Sequence, residues 1–189
     1  MDMLDLVKKT RSIRRFKENE RISGQKIRQL VNLGRLSASA NNLQPLRYMI
    51  SNEPEKNSRI FPALSWAGKL DDWDGPQEGE RPAAYIVILG DPEISDYLEY
   101  DCGIACQSIL LGAARQGIGG CIMGALDRNY LEDTLDIDDK YEILVTLALG
   151  YPAEDIKIDE VEGGDLSYYR DDSDVHHVPK LKLDEVILG

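Results

Sequence analysis

The sequence predicts one globular domain that mixes α-helices with β-strands. Its 189 residues are enough to bury a sizeable core, and 42% of them are hydrophobic against 30% charged, proportions typical of a folded, soluble chain. Short apolar runs with strand character alternate with segments of helical periodicity. The alternation is too irregular for a doubly wound parallel sheet, so we expect another mixed architecture.

The N-terminal half predicts two helices and one strand. The stretch MLDLVKK predicts a short helix that ends near Thr10. Ser23 is a suitable N-cap for a second helix over residues 24–37. LRYMIS (46–51) follows a proline and has the composition of a strand. Residues 53–82 contain four prolines and an acidic stretch, so we expect them to be irregular.

The C-terminal half predicts three strands and two helices. The apolar runs AAYIVIL (83–89) and YEILVTLALG (141–150) predict buried strands, and the glycine-bounded GGCIMG predicts a short strand between them. Helical spacing over 96–116 ends at Gly117, a suitable residue to follow a helix. Asp127 is a suitable N-cap for a brief helix before the last strand.

Residues 152–189 differ from the rest because they are polar and only weakly periodic. A long structureless tail is unusual in a compact domain. We therefore treat 1–151 as the core and 152–189 as a C-terminal arm of the same domain. The apolar residues near the end of the arm need a surface to cover, and either a partner subunit or the body of the chain is a candidate.

Charge is distributed unevenly along the chain. The net charge is −12, yet the first 35 residues contain ten Lys or Arg against four Asp or Glu. An acidic body repels nucleic acids and anionic lipids, so neither a nucleic acid nor a membrane is an expected partner. The basic N-terminal segment instead predicts a local anion. A solvated helix face is the preferred interpretation for Lys26 and Arg28.

The sequence also predicts a cytoplasmic location. Its first residues lack the apolar run of a signal peptide, and the longest apolar run is far shorter than a membrane span. Three sparse cysteines, Cys102, Cys106 and Cys121, argue against a disulfide framework. Cys102 and Cys106 share one face of a helix, where buried cysteines usually belong to the core. No metal site is expected.

The segment TRSIRRF (10–16) contains the most distinctive polar residues. Arginine forks and a hydroxyl suit a phosphomonoester, which has up to two negative charges and three acceptor oxygens. In a strand, Ser12 and Arg14 would share one face, and Arg11 and Arg15 the other. The three arginines can therefore contact one ligand only if the chain turns here. The usual glycine-rich nucleotide motifs are absent from the sequence.

Two further segments have both a structural and a functional interpretation. In SASANNLQP (37–45), the serines and asparagines are common turn formers, but their hydroxyls and amides also suit a flat heterocycle with C=O and N groups. In GIGGCIMG (117–124), the glycines permit either close packing of a strand or close approach of backbone amides to a ligand.

Taken in order, these motifs resemble the FMN-dependent nitroreductase family. The resemblance rests on RSIRRF, on S-x-x-N-x-Q-P, on the D-x-G-x-A-x-Q helix that starts at Asp101, and on GIGGC, and it covers about residues 4–151. It implies a nitroreductase-like α+β fold with a central, mostly antiparallel sheet flanked by helices. It also implies a homodimer with FMN in two interface clefts and a C-terminal arm that extends onto the partner subunit.

The resemblance also implies which residues hold the cofactor. Arg11 and Ser12 match the phosphate-binding positions, and Arg14 matches a basic position near the ribityl chain and the pyrimidine edge of the flavin. The side chains expected near the ring and ribityl chain are those of Ser39, Asn42 and Gln44. The backbone N–H groups expected near the ring are those of Met123 and Gly124.

Two positions depart from the family pattern. Thr10 stands where the family usually has Arg, and Leu181 stands where a C-terminal Arg often reaches the phosphate. Lys180, Lys182 or His177 is expected to supply the missing charge. A lysine does so as a point charge, without the preorganised fork of arginine.

The implied chemistry is that of the flavin, so no catalytic side chain is expected. NADH or NADPH reduces FMN, and a nitroaromatic or quinone is then reduced in a ping-pong cycle. The acidic loop 71–80, with Trp66 and Trp73, is expected to rim the cleft and to select the acceptor. Three alternatives stay open: dehalogenation, dehydrogenation or flavin fragmentation on the same fold, a non-enzymatic flavin-binding protein, and a helical protein whose basic N-terminus binds protein or RNA.

Overall fold

The computed structural model describes residues 2–70 and 72–189. The helices are α1 (Met3–Lys9), α2 (Gly24–Arg35), α3 (Pro54–Ile60), α4 (Leu98–Arg115), α5 (Arg128–Leu135) and α6 (Leu183–Val186). The strands are β1 (Leu46–Ser51), β2 (Ala84–Gly90), β3 (Gly119–Met123), β4 (Glu142–Gly150), β5 (Ile156–Val161), β6 (Tyr169–Arg170) and β7 (His176–Leu181). Every helix and strand predicted from the sequence is present. Within the described ranges, each helix is too short or too polar to cross a membrane.

The core of the molecule is a four-stranded sheet with the strand order β1-β2-β4-β3. All three of its strand pairings are antiparallel, which confirms the predicted α+β architecture. All seven residues of β2 are buried. Because side chains alternate across a strand, Tyr85, Val87 and Leu89 enter one apolar cluster, and Ile86 and Ile88 enter another.

Helices cover both faces of this sheet. On one face, Ile27 of α2 and Ile109 of α4 pack on β2, together with Cys102 and Cys106, which are core residues as predicted. The other face is covered by α3, α5 and the segment that follows α1. The helix ends also agree with prediction, since Ser23 accepts a hydrogen bond at the start of α2.

The prediction that residues 53–82 are irregular is wrong for their first part. Pro54 begins α3, and a short 3-10 helix (Phe61–Ala63) follows. Proline is favoured at the first helical position because its missing N–H is not needed there. The fully buried Ile60 anchors α3 to the sheet. Pro54 therefore marks the start of a helix and not an irregular segment.

The weak periodicity of residues 152–189 conceals a second sheet. Its strand order is β5-β7-β6, with β5 and β7 parallel and β6 and β7 antiparallel. This sheet packs on its own chain, since Phe16 pairs with Pro152 and the Ala153 N–H donates to the Arg15 carbonyl at 3.0 Å. The body of the same chain therefore holds the start of the tail, while many of the later tail residues are exposed. Its last apolar residues stay exposed, Leu188 at 92%.

Candidate active site

The basic N-terminal segment lies beside β3, an edge strand of the central sheet. The chain leaves helical geometry at Thr10, whose φ and ψ are −83° and 76°. Ser12 then forms a parallel bridge with Gly120, and the Ile13 N–H donates to the Gly120 carbonyl at 3.0 Å. A Cβ at Gly119 would lie 2.6 Å from an Ile13 side-chain carbon. Packing therefore explains the first glycines of this motif, because they let the segment approach β3.

The turn at Thr10 brings Arg11, Ser12 and Arg14 to one concavity of about 270 Å³, which we call the arginine concavity. Simple strand alternation predicts Arg11 on the side opposite Ser12 and Arg14, and the turn at Thr10 is why this expectation is wrong. The other residues that line it come from α4, β3 and the C-terminal tail: Gln107, Leu110, Ile122, Tyr168, His176, Val178 and Lys180. Four predicted cofactor-binding side chains, those of Arg11, Ser12, Arg14 and Lys180, are thus together.

Arg14 is the most constrained of these side chains. It is buried, and its backbone N–H donates to the carboxylate of Glu154. Its guanidinium Nη1 lies 3.3 Å from His176 Nε2 and 3.4 Å from the Ser12 carbonyl oxygen. The ring of Tyr168 packs on the guanidinium, with 4.6 Å from Cζ to the ring centroid. The guanidinium is therefore held in one orientation.

The electrostatics of the arginine concavity favour an anion. Burial lowers the pKa of Arg11, and its Nε is buried without a hydrogen-bond acceptor. Burial, followed by the positive charge of Arg14, lowers the pKa of His176 to about 4. His176 is thus neutral at physiological pH and adds no charge. Buried donors without acceptors are costly, so a ligand with anionic oxygens fits these residues.

Arg15 belongs to a different part of the structure. It forms ion pairs with Asp174 and with Glu80, the latter at 3.4 Å. Its guanidinium lies 5.8 Å from the ring centroid of Trp73, and that of Arg170 lies 5.3 Å from the same ring. Arg15 therefore joins the N-terminal segment to the tail and does not line the arginine concavity.

The two tryptophans predicted to rim a cleft pack against protein groups. Trp66 is buried, with its ring centroid 5.9 Å from that of Phe61. The ring centroid of Trp73 lies within 5.8 Å of the guanidinium groups of Arg15 and Arg170. Neither tryptophan lines the arginine concavity, and Asp71 of the acidic loop falls outside the described residues. A role of this loop in acceptor choice stays a prediction.

A second concavity, of about 340 Å³, lies between α2, α4 and β1, and we call it the serine concavity. Ser39 and Gln44 line it, whereas Asn42 is exposed and outside it. The Ser39 hydroxyl donates to Asp101 at 2.5 Å and accepts from the Gln44 N–H at 2.9 Å. The Asp101 carboxylate, only 3% exposed, also accepts from the Ala40 N–H at 2.9 Å.

Asp101 therefore fixes the loop that carries the predicted amide and hydroxyl contacts. Asn41, Asn42 and Gln44 all have φ between 50° and 57°, a left-handed conformation that asparagine tolerates better than most residues. Such a backbone needs support from its surroundings. The buried carboxylate on α4 supplies that support, a role that sequence reasoning did not assign to Asp101.

Gly124, which follows β3, is packed less tightly than the glycines at the start of that strand. The side chain of Met123 is buried, and its backbone pairs with Thr146 of β4. Gly124 is exposed, and a Cβ there would meet no atom within 4 Å. Packing alone therefore does not require a glycine at 124. The open space beside it is compatible with the predicted approach of backbone donors to a ligand.

The C-terminal strand β7 presents alternate residues to the arginine concavity. His176, Val178 and Lys180 line it, as the two-residue period of a strand predicts. Lys182 instead forms an ion pair with Glu162. Of the cations considered as substitutes for an arginine at 181, Lys180 is thus the one that shares the concavity with Arg11.

The nitroreductase family model matches residues 7–151. The chain belongs to the nitroreductase family. This match confirms the resemblance drawn from the motifs, and it places the chain among oxidoreductases. A protein of Archaeoglobus fulgidus, provisionally named an NADH dehydrogenase/NAD(P)H nitroreductase, is 26% identical over 162 residues, which are 82% of this chain and 87% of the relative.

Solved structures of nitroreductase-family proteins share the fold. One from Streptococcus pneumoniae superposes with a TM-score of 0.73 at 18% identity and covers 100% of both chains. Another, from Exiguobacterium sibiricum in complex with FMN, has a TM-score of 0.68 at 19% identity and covers 82% of this chain and 90% of its own. These similarities establish the fold of this nitroreductase-family chain.

Three residues around Arg14 in this nitroreductase-family chain were not predicted. Glu154, Tyr168 and His176 all come from the region beyond residue 151, where the sequence shows little periodicity. The two-residue spacing between His176, Val178 and Lys180 is the one signal that could have placed His176 beside the predicted lysine. Nothing in the sequence singles out Tyr168.

Proposed function

We propose that this nitroreductase-family protein is an FMN-dependent oxidoreductase that takes electrons from NADH or NADPH and reduces an electron-poor acceptor, a nitroaromatic or a quinone. The observation that carries the proposal is the convergence of Arg11, Ser12 and Arg14 on one concavity beside β3. The NAD(P)H-related names of its relatives and the FMN complex of a structural neighbour support it.

The donors of the arginine concavity suit the phosphate of FMN. Arg11 has a buried Nε without an acceptor, and Ser12 and Lys180 line the same surface. Charge-assisted hydrogen bonds of this kind contribute about 1.5–3 kcal/mol each. We assign the phosphate to these three residues, with Lys180 in the place of the missing C-terminal arginine.

Arg14 is assigned to the pyrimidine edge of the flavin. FMN supplies the hydride chemistry when bound, and the protein supplies binding, orientation and electrostatics. A fixed positive charge at that edge favours the reduced, anionic form of the cofactor. No side chain has to act as a catalytic acid or base in this assignment. The nicotinamide and the acceptor are expected to use the same space in turn, which is a ping-pong order.

We further infer that two copies of the chain complete each site. Ser39 and Gln44 line the serine concavity, whereas Arg11 and Arg14 line the arginine concavity. With volumes of about 340 and 270 Å³, each concavity alone is near or below the lower limit for sites that enclose a drug-sized ligand, about 300 Å³. A homodimer would bring the arginine concavity of one copy to Ser39, Asn42 and Gln44 of the other.

The exposed apolar surface agrees with such a dimer. Tyr100 and Ile104 project from the outer face of α4, and Leu36 and Leu43 flank the loop that carries Ser39. Contiguous exposed apolar surface commonly marks protein interfaces. The exposed end of the tail, 183–188, is expected to extend onto the partner. Light scattering on the purified protein tests the dimer, and a monomer that binds FMN fully would contradict it.

The visible spectrum of the purified protein tests the cofactor. We expect bound oxidised flavin, either retained or regained with added FMN, and bleaching by NADH or NADPH without oxygen. Bound FMN that neither nucleotide bleaches would support a non-enzymatic flavin protein, and a colourless protein that FMN does not stabilise would contradict the whole proposal. Acceptor screening with product analysis then separates nitro or quinone reduction from other flavin chemistries.

Arg11→Ala is the matching mutational prediction. Loss of one charged phosphate contact should weaken FMN binding about ten- to hundredfold, measured by quenching of flavin fluorescence. Arg28→Ala is the control, because Arg28 is an exposed arginine of α2 outside both concavities. Equal effects of the two substitutions would contradict the phosphate assignment.

A further inference from the structure

We propose that His176 is a positioning residue, which fixes the guanidinium of Arg14 against the pyrimidine edge of bound FMN. The inference rests on the proposed function, because it concerns how the flavin is held. It concerns a histidine of the C-terminal tail, and it gives that tail a role inside the site of its own chain.

The contact between the side chains of Arg14 and His176 is shielded from water. His176 is 1% exposed, and its Nε2 lies 3.3 Å from Nη1 of Arg14. The ring of Tyr168 is 5.3 Å from that of His176 and also packs on the guanidinium. In a site with little water, a directional hydrogen bond to a charged donor is stronger than at the surface.

The chemistry of the pair determines the protonation of the imidazole. A guanidinium can only donate, so Nε2 of His176 has to accept and must be unprotonated. The proton of the neutral ring is then on Nδ1, which is buried without a partner. Burial and the charge of Arg14 act in the same direction, since both oppose a second proton on His176. His176 is therefore an acceptor with a defined tautomer.

The other groups around Arg14 do not provide this constraint. Glu154 accepts from the backbone N–H of Arg14, and its second oxygen pairs with Arg170. The attraction of Tyr168 is directed to the ring face and leaves rotation in the guanidinium plane unrestrained. The Ser12 carbonyl oxygen, 3.4 Å from the same Nη1, is a backbone atom two residues earlier in the chain and makes only a local contact. Among the described residues, His176 is the side-chain acceptor of this guanidinium.

Removing that acceptor should change the redox behaviour of the cofactor. His176→Leu leaves the guanidinium free to rotate away from the flavin, so we expect FMN binding about tenfold weaker and a reduction potential shifted to a more negative value. His176→Gln offers an amide oxygen at a similar reach and should retain most of both properties. His177→Gln is the matched control, because the neighbouring histidine lines neither concavity; it should leave the potential unchanged.

Spectroelectrochemistry of the FMN-loaded protein measures the potential, and fluorescence titration measures affinity. A wild-type potential in His176→Leu, or equal losses in His176→Leu and His176→Gln, would overturn the positioning role. Arg14→Met distinguishes failure of the positioning role from failure of the proposed function. If Arg14→Met leaves the reduction potential and the FMN affinity unchanged, the assignment of Arg14 to the flavin is itself wrong.

A measurement on the unmodified protein guards against variants that fail to fold. Nitrogen-15 NMR of the FMN-loaded wild type should show His176 as a neutral ring protonated on Nδ1 at pH 7. A ring protonated on Nε2 or on both nitrogens would overturn the proposal, because neither form has an acceptor at Nε2, the atom that faces Arg14.

Discussion

The two sheets of this molecule are stabilised in different ways. The central sheet buries all of β2 between two apolar clusters. The C-terminal sheet is largely half-exposed, and charged groups of the tail attach it to the core: Glu154 accepts from the backbone N–H groups of Arg14 and Arg15, and Asp174 forms an ion pair with Arg15. Hydrophobic burial therefore builds the scaffold, and electrostatic contacts hold the segment that lines the arginine concavity. Changes in salt concentration and pH should therefore alter the stability of the C-terminal sheet more than that of the central sheet.

Two neighbouring histidines show the difference within one strand. His176 faces Arg14, and its pKa is lowered to about 4, first by burial and then by that positive charge. His177 faces away, and hydrogen bonds from its ring to Asp159 at 2.5 Å and Asp171 at 3.1 Å raise its pKa. Side chains alternate across a strand, so β7 separates a site histidine whose surroundings oppose protonation from a histidine whose carboxylate partners favour it.

The largest expected effect is on the central sheet. Leu147→Ala removes a fully buried side chain of β4 and should lower the free energy of unfolding by about 2–5 kcal/mol. Leu166→Ala, at an exposed position of the tail between β5 and β6, should change it by less than about 0.5 kcal/mol. Urea denaturation measures both, and similar losses would mean that the tail contributes to the core.

A smaller and local effect is expected where the sheets meet. The side chain of Glu154 is 2% exposed, and it accepts from Arg170 and from the backbone N–H groups of Arg14 and Arg15. Glu154→Gln weakens these charge-assisted bonds and should cost about 1–3 kcal/mol. The loss should appear as faster hydrogen exchange in β5–β7, with β2 protected as before. Uniformly faster exchange would contradict the separation of the two sheets.

The smallest expected effect is a pH dependence of the tail. The pKa of His177 is raised above its usual value of 6.5 in the folded state, so folding favours its protonated form. That stabilisation is complete below pH 6.5 and is lost as the pH rises through the folded pKa. Hydrogen exchange in β7, corrected for its intrinsic rate, should accelerate over that range.

His177→Asn should remove most of this acceleration, because asparagine does not titrate in this range. A wild-type pH profile in the variant would assign the effect to another group. The central strands β2 and β4 should show no matching change, since their clusters contain no histidine.

Much of the fold could be predicted because its signals are local. Apolar runs, the Ser23 cap and the glycine after α4 identified the central strands and most helices. The family, and the grouping of Arg11, Ser12 and Arg14, also followed from short motifs. The errors arose where one local signal has two meanings, as at Pro54, and where strands are short and half-exposed, as in β5–β7.

The sequence by itself determined the family, the order of the central elements and the basic segment that forms the candidate site. Only the tertiary structure decided that Arg15 joins the tail, that Asp101 holds the Ser39 loop, and that His176 meets Arg14. These contacts join residues 62 to 162 positions apart in the chain. No local pattern encodes such pairs, because they depend on how the packed sheet and helices bring distant segments together.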